Sequence, residues 1–327
     1  FYMKFRHIVL FVSIFFVTGS ACAQQTQKAD TLIHKLDSLQ KKTDSTGYQV
    51  NNTKEAAYND VTKLSFRDYF ILLGSNLKQG FTKPFHMTGK DWKKFGIFSA
   101  VTIATGFADE PIQKQALKLR TQSTSVRNTS NYVSKFGGLY EVYTLAAFGT
   151  YGLVFKNQKV KTTTLLATQA YITGGIIEAV LKTLSGRTRP SAYGPYQEAE
   201  PTFEGPFGKT SKDAGGKRTN SSFPSGHTTV AFAAATVFAK EYASQPLVPI
   251  IAYSAATLIG LSRITENKHW TTDVLVGAAL GYLTGRQVVN NYHRFAKIKT
   301  QAAKKAQLSF NLEYNFGRMM PGIVYKF

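Results

Sequence analysis

Six apolar stretches, at 95–108, 139–155, 163–181, 227–239, 247–262 and 273–285, constrain this chain more than any other feature. Each reads as a candidate helix, many are rich in Gly, Ala and Thr, and polar arms flank the set. A bilayer span asks for about 20 apolar residues, whereas uninterrupted runs of 10–14 more often belong to buried core helices. Several of these segments fall between those limits, and Glu178 interrupts one. The lengths favour a membrane bundle, and a soluble six-helix bundle stays compatible with them. Gly174, Gly175, Gly277 and Gly281 suit close helix packing in either medium. The expected fold is therefore all-α, a six-helix bundle embedded in a membrane.

The flanks carry different signals. Residues 3–23 have a basic start at Lys4 and Arg6, an apolar run from Ile8 to Val17, and Ala21-Cys22-Ala23 as a cleavage site. That pattern is a secretory signal, so 1–23 is assigned as a signal peptide of an exported, cell-envelope protein. Cys22 is the single cysteine, and its lipidation is the alternative to simple cleavage, although Gly19 stands where a lipoprotein signal usually has Leu. Residues 24–90 form a polar, Lys-rich arm in which Leu32, Ile33, Leu36 and Leu39 predict a short amphipathic helix, followed by a linker at 44–54. Residues 91–290 hold the helical core. In the tail, 291–327, alternation from Leu308 to Phe316 and a turn at Pro321-Gly322 predict a short β-hairpin.

Charge narrows the partners. Forty Lys and Arg against 19 Asp and Glu give a net charge of +21, which favours anionic partners such as phosphate esters or an anionic membrane surface. The basic residues are spread along the chain and match no nucleic-acid module, so no nucleic-acid partner is expected.

Three segments carry chemistry. KTLSGRTRP (182–190) places Lys182, Arg187 and Arg189 at the end of an apolar helix, where an ordinary basic helix C-terminus is the plainer reading. SSFPSGH (221–227) puts Ser225, Gly226 and His227 at a helix start, whose free N–H groups and partial positive charge suit an anion. An N-cap that happens to contain a histidine is the alternative. SRITENKHWTTD (262–273) spaces His269 and Asp273 four residues apart, on one helix face if the helix has begun. A carboxylate there can hold one ring N–H and leave the other nitrogen its lone pair. Together, these groups suffice for phosphoryl transfer: cations and amides to hold a tetrahedral anion, one imidazole to attack, another to protonate the leaving oxygen.

The pattern Lys182-x6-Arg189-Pro190, Pro224-Ser225-Gly226-His227 and Ser262-Arg263-x5-His269-x3-Asp273 resembles the signature of the type 2 phosphatidic acid phosphatase and vanadium haloperoxidase superfamily, over roughly residues 92 to 290. The resemblance implies that family's helical bundle. It implies that His269 forms a phosphohistidine, that Asp273 orients it, and that His227 is the general acid. Lys182, Arg189, Ser225, Gly226 and Arg263 would bind phosphate. Arg187 lies outside the strict pattern, as a further phosphate contact or a solvated arginine. Hydrolysis in this family needs no cofactor or metal.

The resemblance leaves several readings open. A phosphorylated lipid or prenyl diphosphate cleaved on the extracytoplasmic side is the favoured substrate, and small phosphomonoesters are an alternative. The long loop 191–222 would gate it, with Tyr193, Tyr196, Phe203 and Phe207 toward acyl chains and Lys209, Lys212, Lys217 and Arg218 toward headgroups. Equally, those aromatics simply pack on the bundle. Vanadate would be a cofactor only if the chain were a haloperoxidase. Glu266, His269 and Asp273 form a rival metal-ligand set, and an envelope scaffold is the non-enzymatic reading. His86 and His293 read as surface residues.

Overall fold

The computed structural model describes residues 64–327, except 194–197, 209–210, 213–217, 306, 316–317 and 327. The expected signal peptide, Cys22, the 32–39 helix, the 44–54 linker, Tyr196, Lys209 and Lys217 lie outside the described residues.

The described residues form nine α-helices where the apolar pattern predicts six: α1 (Phe66–Thr82), α2 (Gly89–Gly106), α3 (Asp109–Gln122), α4 (Thr124–Ser134), α5 (Leu139–Val154), α6 (Gln158–Ser185), α7 (Gly226–Glu241), α8 (Leu247–Thr265) and α9 (Thr271–Lys305). The added helices, α1, α3 and α4, carry too many polar residues to stand out as apolar runs. The starts of α1 and α4 are nonetheless encoded locally. Ser65 and Asp68 form a reciprocal capping box on α1, and the Ser123 hydroxyl caps α4.

Helix α7 lies against α6, α8 and α9. Its apolar residues Ala233, Ala234 and Val237 join Leu166, Ala167 and Ala170 of α6 and Val288, Val289 and Tyr292 of α9 in one buried cluster. The α7–α9 contact is backbone-close. A Cβ at Gly281 would sit 2.3 Å from the Thr229 carbonyl oxygen, and one at Gly285 would sit 2.5 Å from that of Ala233. Only residues without a side chain allow this approach.

The core runs past both expected boundaries. Leu72 of α1 is fully buried in the same cluster, as are Phe295 and Ala296 near the end of α9. Asn76 joins Gln169 and Asn291 through buried side-chain hydrogen bonds of 3.2 and 2.7 Å. A helix that looks polar in sequence is thus held by amide pairing as well as by apolar contact.

Beyond α9, β1 (Gln307–Asn315) pairs antiparallel with β2 (Arg318–Lys326). The hairpin is present, but its turn is displaced from the expected Pro321-Gly322. Pro321 sits inside β2 opposite Leu312, and the chain reverses between Asn315 and Arg318. Pairing nine residues outweighs an early turn, and a two-stranded ribbon leaves each strand an unpaired edge where proline is tolerated.

Large apolar side chains cover much of the outside, including Ile97, Val101, Leu153, Val154, Ile250, Ile251 and Leu258. By length and composition, α6 and α8 are long and apolar enough to cross a membrane.

Candidate active site

The three motif segments meet at one end of the bundle, where α6 and α8 finish and α7 and α9 begin. Helix α6 stops at Gly186, whose left-handed φ of 54° and approach to Gly205 exclude any side chain: a Cβ would lie 2.2 Å from the Gly205 carbonyl oxygen. The released strand is then paired on both sides. Thr188 N–H donates to Thr202 O at 2.9 Å, Arg189 N–H to Thr219 O at 2.8 Å, and Ser222 N–H to Arg187 O at 2.9 Å. The 191–222 loop therefore folds back onto the first motif and carries the chain to the second.

Helix α7 begins at Gly226 with Ser225 as its N-cap. Ser225 N–H donates to the Asp273 carbonyl at 3.0 Å, and its hydroxyl accepts from Thr228 at 2.9 Å. Gly226 packs against Glu178, so that a Cβ there would lie 2.8 Å from the carboxylate. The same carboxylate is paired with Lys182 one turn along α6. His227 rests on the turn before α5, its Nε2 3.4 Å from where a Cβ of Gly138 would be.

His269 lies in the connection between α8 and α9, 2 % exposed. Its backbone N–H reaches the Arg263 carbonyl at 3.3 Å. The ring Nδ1 lies 2.7 Å from the Ser222 carbonyl oxygen and 3.6 Å from Asp273 Oδ2. A carbonyl only accepts, so Nδ1 carries the proton and Nε2 keeps its lone pair. Burial pushes the imidazole down to about 3, with Asp273 acting in the opposite direction and Arg263 and Arg189 adding to the depression. The ring is neutral at ordinary pH. The four-residue spacing predicts that Asp273 holds the ring N–H; in the structure a backbone carbonyl from the second motif lies nearer.

Asp273 is fully buried and heavily used. Its carboxylate accepts from Trp270 N–H at 2.9 Å, from Arg187 at 2.6 Å and from the Ser222 hydroxyl. Arg187 is therefore neither solvated nor placed as a phosphate contact: it is 4 % exposed and bridges Asp273 to Asp109, 2.7 Å away. Arg189 is buried and donates to the Ser221 carbonyl at 3.2 Å. Arg263 is buried and paired with Glu266, which also accepts from Ser134 of α4 at 2.7 Å. With Glu266 committed to Arg263 and Asp273 to Arg187, the rival metal set of Glu266, His269 and Asp273 does not assemble.

Sequence reading passed over three contributors. Glu178 stands four residues before Lys182, a spacing that was available as a signal. Ser222 precedes the PSGH run; its hydroxyl donates to Asp273, and its carbonyl, which leaves no trace in residue type, holds His269. Asp109 lies 163 residues from its partner Thr272, beyond any local pattern. In the 191–222 loop, the Tyr193 hydroxyl donates to the Glu200 carbonyl, Phe203 packs on Phe223 and Arg187, and Phe207 is 97 % exposed. His293, expected at the surface, pairs with Glu241 at 2.9 Å.

Residues 163–297 match the family model of the PAP2 superfamily. Over 65 residues the chain is 52% identical to the lipid A 1-phosphatase of Porphyromonas gingivalis, covering 20% of this chain and 15% of that protein's length. Among solved structures, it is similar to a transmembrane PAP2-type phosphatidylglycerolphosphate phosphatase from Bacillus subtilis, with TM-score 0.45 and 25% identity over 59% of this chain and 91% of the other. Aquifex aeolicus LpxE gives TM-score 0.41 and 23% identity over 54% and 92% of the two chains.

Proposed function

We propose, from the match of residues 163–297 to the PAP2-superfamily model, that the chain is a metal-independent phosphatase that cleaves a lipid phosphate through a phosphohistidine. The observation that carries this reading is the His269 ring, buried, neutral and tied at Nδ1 to Ser222 O, beside Arg189 and Arg263. Nε2 attacks phosphorus as the ester P–O bond breaks, and His227 delivers its proton to the departing alkoxide. A water then attacks phosphorus, giving its proton to His227, while the P–N bond breaks and the electron pair returns to Nε2. Asp273 stabilises the imidazolium while the bond is formed. Lys182, Arg189, Arg263, Ser225 and the Gly226 amide hold the phosphate oxygens, which displace Glu178 and Glu266 from their cations.

A lipid substrate is supported by the apolar exterior of the helices around this site and by the relative that is a lipid A 1-phosphatase. On this reading, the helices sit in the cell-envelope membrane, basic residues meet anionic headgroups, and the site faces the extracytoplasmic side.

The test is inorganic phosphate release in detergent and chelator, from lipid A 1-phosphate, phosphatidylglycerol phosphate, undecaprenyl diphosphate and p-nitrophenyl phosphate. Release from a lipid by wild type and at least 1,000-fold less by His269→Ala is expected (roughly the loss on removing a catalytic nucleophile). Turnover of p-nitrophenyl phosphate alone would replace the lipid reading with a small-ester phosphatase. Undiminished turnover in His269→Ala would end the phosphohistidine assignment.

A further inference from the structure

Asp109 is the least accounted-for group near the site. It belongs to α3, outside the three motifs and outside the matched 163–297 region. It is fully buried, a costly place for a carboxylate unless it is fully paired. Its partners are specific. Oδ1 accepts the Thr272 backbone N–H at 2.9 Å, and Oδ2 accepts the Thr272 hydroxyl at 2.6 Å and Arg187 Nη2 at 2.7 Å. The other arm of Arg187 donates to Asp273 at 2.6 Å and to Thr272 at 2.6 Å. Phe203 and Trp270 cover the guanidinium, with ring centres 4.9 and 5.6 Å from its carbon.

The arrangement poses a charge problem. Arg187 alone would cancel Asp273, and Asp273 would have little left for His269 when the imidazole gains charge on phosphorylation. Two carboxylates around one guanidinium leave the cluster a single negative charge, on the side 3.6 Å from the His269 ring. We propose that Asp109 is a positioning residue that neutralises Arg187, so that Asp273 keeps its charge for His269, and that fixes Thr272 and hence the first turn of α9. The inference rests on the phosphohistidine reading of the same site.

A charge-balancing Asp109 changes turnover in a way that a purely structural one does not. Asp109→Asn should lower kcat about 10- to 100-fold, the range that partners behind a reactive group command, with KM within about twofold. Arg187→Gln should also be slow. The double variant Asp109→Asn/Arg187→Gln restores one negative charge and should recover at least about tenfold over Asp109→Asn, though its melting temperature stays low. A folded Asp109→Asn with wild-type kcat, or a double variant slowed by the product of the single losses, overturns the inference.

Orthovanadate and sulfate binding separate this failure from failure of the proposed reaction. Vanadate bonds to an imidazole nitrogen, whereas sulfate reads only the surrounding charge. Asp109→Asn should weaken vanadate several-fold without weakening sulfate, even if no lipid phosphate tested is a substrate. Equal loss of both anions would mark a collapsed site and defeat the charge role.

Discussion

At the scale of single residues, the central feature is a histidine kept neutral by burial. Its folded value of about 3 lies below the ordinary 6.5, so the unfolded chain binds the proton more readily. The sign follows: the stability linked to neutral His269 is fully present above pH 6.5 and is lost as pH falls toward 3. Between pH 6.5 and 5.5 wild type should lose about 1 kcal/mol that His269→Asn keeps, since asparagine takes up no proton there. Denaturant titrations in detergent at both pH values measure this, and parallel losses in the two proteins would contradict a neutral ring. The motif residues were legible in sequence because charged and imidazole side chains recur at fixed spacings beside otherwise apolar helices. What they touch was not. Ser222 reaches His269 through its backbone carbonyl, Arg187 was indistinguishable from a solvated arginine, and Asp109 reaches Thr272 only after five intervening helices have packed. Glu178 and Glu266 lie in between: their i, i+4 and i, i+3 spacings to Lys182 and Arg263 were visible, but which of these cations would be paired was not.

At the scale of elements, the α7–α9 contact sets the site. Ser225 opens α7 and Asp273 opens α9, and the Ser225 N–H to Asp273 O bond of 3.0 Å joins the two starts. Further along, Gly281 and Gly285 keep the two backbones close. Gly281→Ala should therefore destabilise by about 1–3 kcal/mol, because its Cβ meets backbone atoms at 2.3 and 2.9 Å, which cannot give way as a flexible side chain can. Gly74→Ala is the control. Nothing lies within 4 Å of its Cβ, and alanine should stabilise α1 by about 0.5–1 kcal/mol. Thermal unfolding of the two variants in the same detergent gives the comparison, and equal melting temperatures would mean that the α7–α9 approach is not under steric control. Sequence composition revealed the helices with long apolar runs, α5 to α8 among them. It missed α1, α3 and α4 because their partners are polar: Asn76 with Gln169, Gln113 with Asn267, Ser134 with Glu266.

For the whole molecule, alternation of direction along α6, α7, α8 and α9 separates two ends of the bundle. Lys182, Ser225, Arg263 and His269 stand at the end where α6 and α8 finish, and Asn157 and Ser244 stand at the end where α6 and α8 start. Helix α6, with 28 residues, spans about 40 Å, more than a bilayer's hydrocarbon core. An apolar exterior between two polar ends fits a bilayer, with the site at one surface and the Ser244 turn at the other. If the site is extracytoplasmic, Phe207 in the 191–222 loop and Ser244 lie on opposite sides of the membrane. Cysteines placed one at a time at these positions, after Cys22→Ser removes the sole native thiol, report this directly. In spheroplasts, a membrane-impermeant maleimide should label Phe207→Cys within minutes and Ser244→Cys only after lysis. Labelling of Ser244→Cys alone would invert the topology and put hydrolysis in the cytoplasm. Labelling of both in intact spheroplasts would mean that the bundle does not span, and the apolar exterior would then need a protein partner instead of lipid.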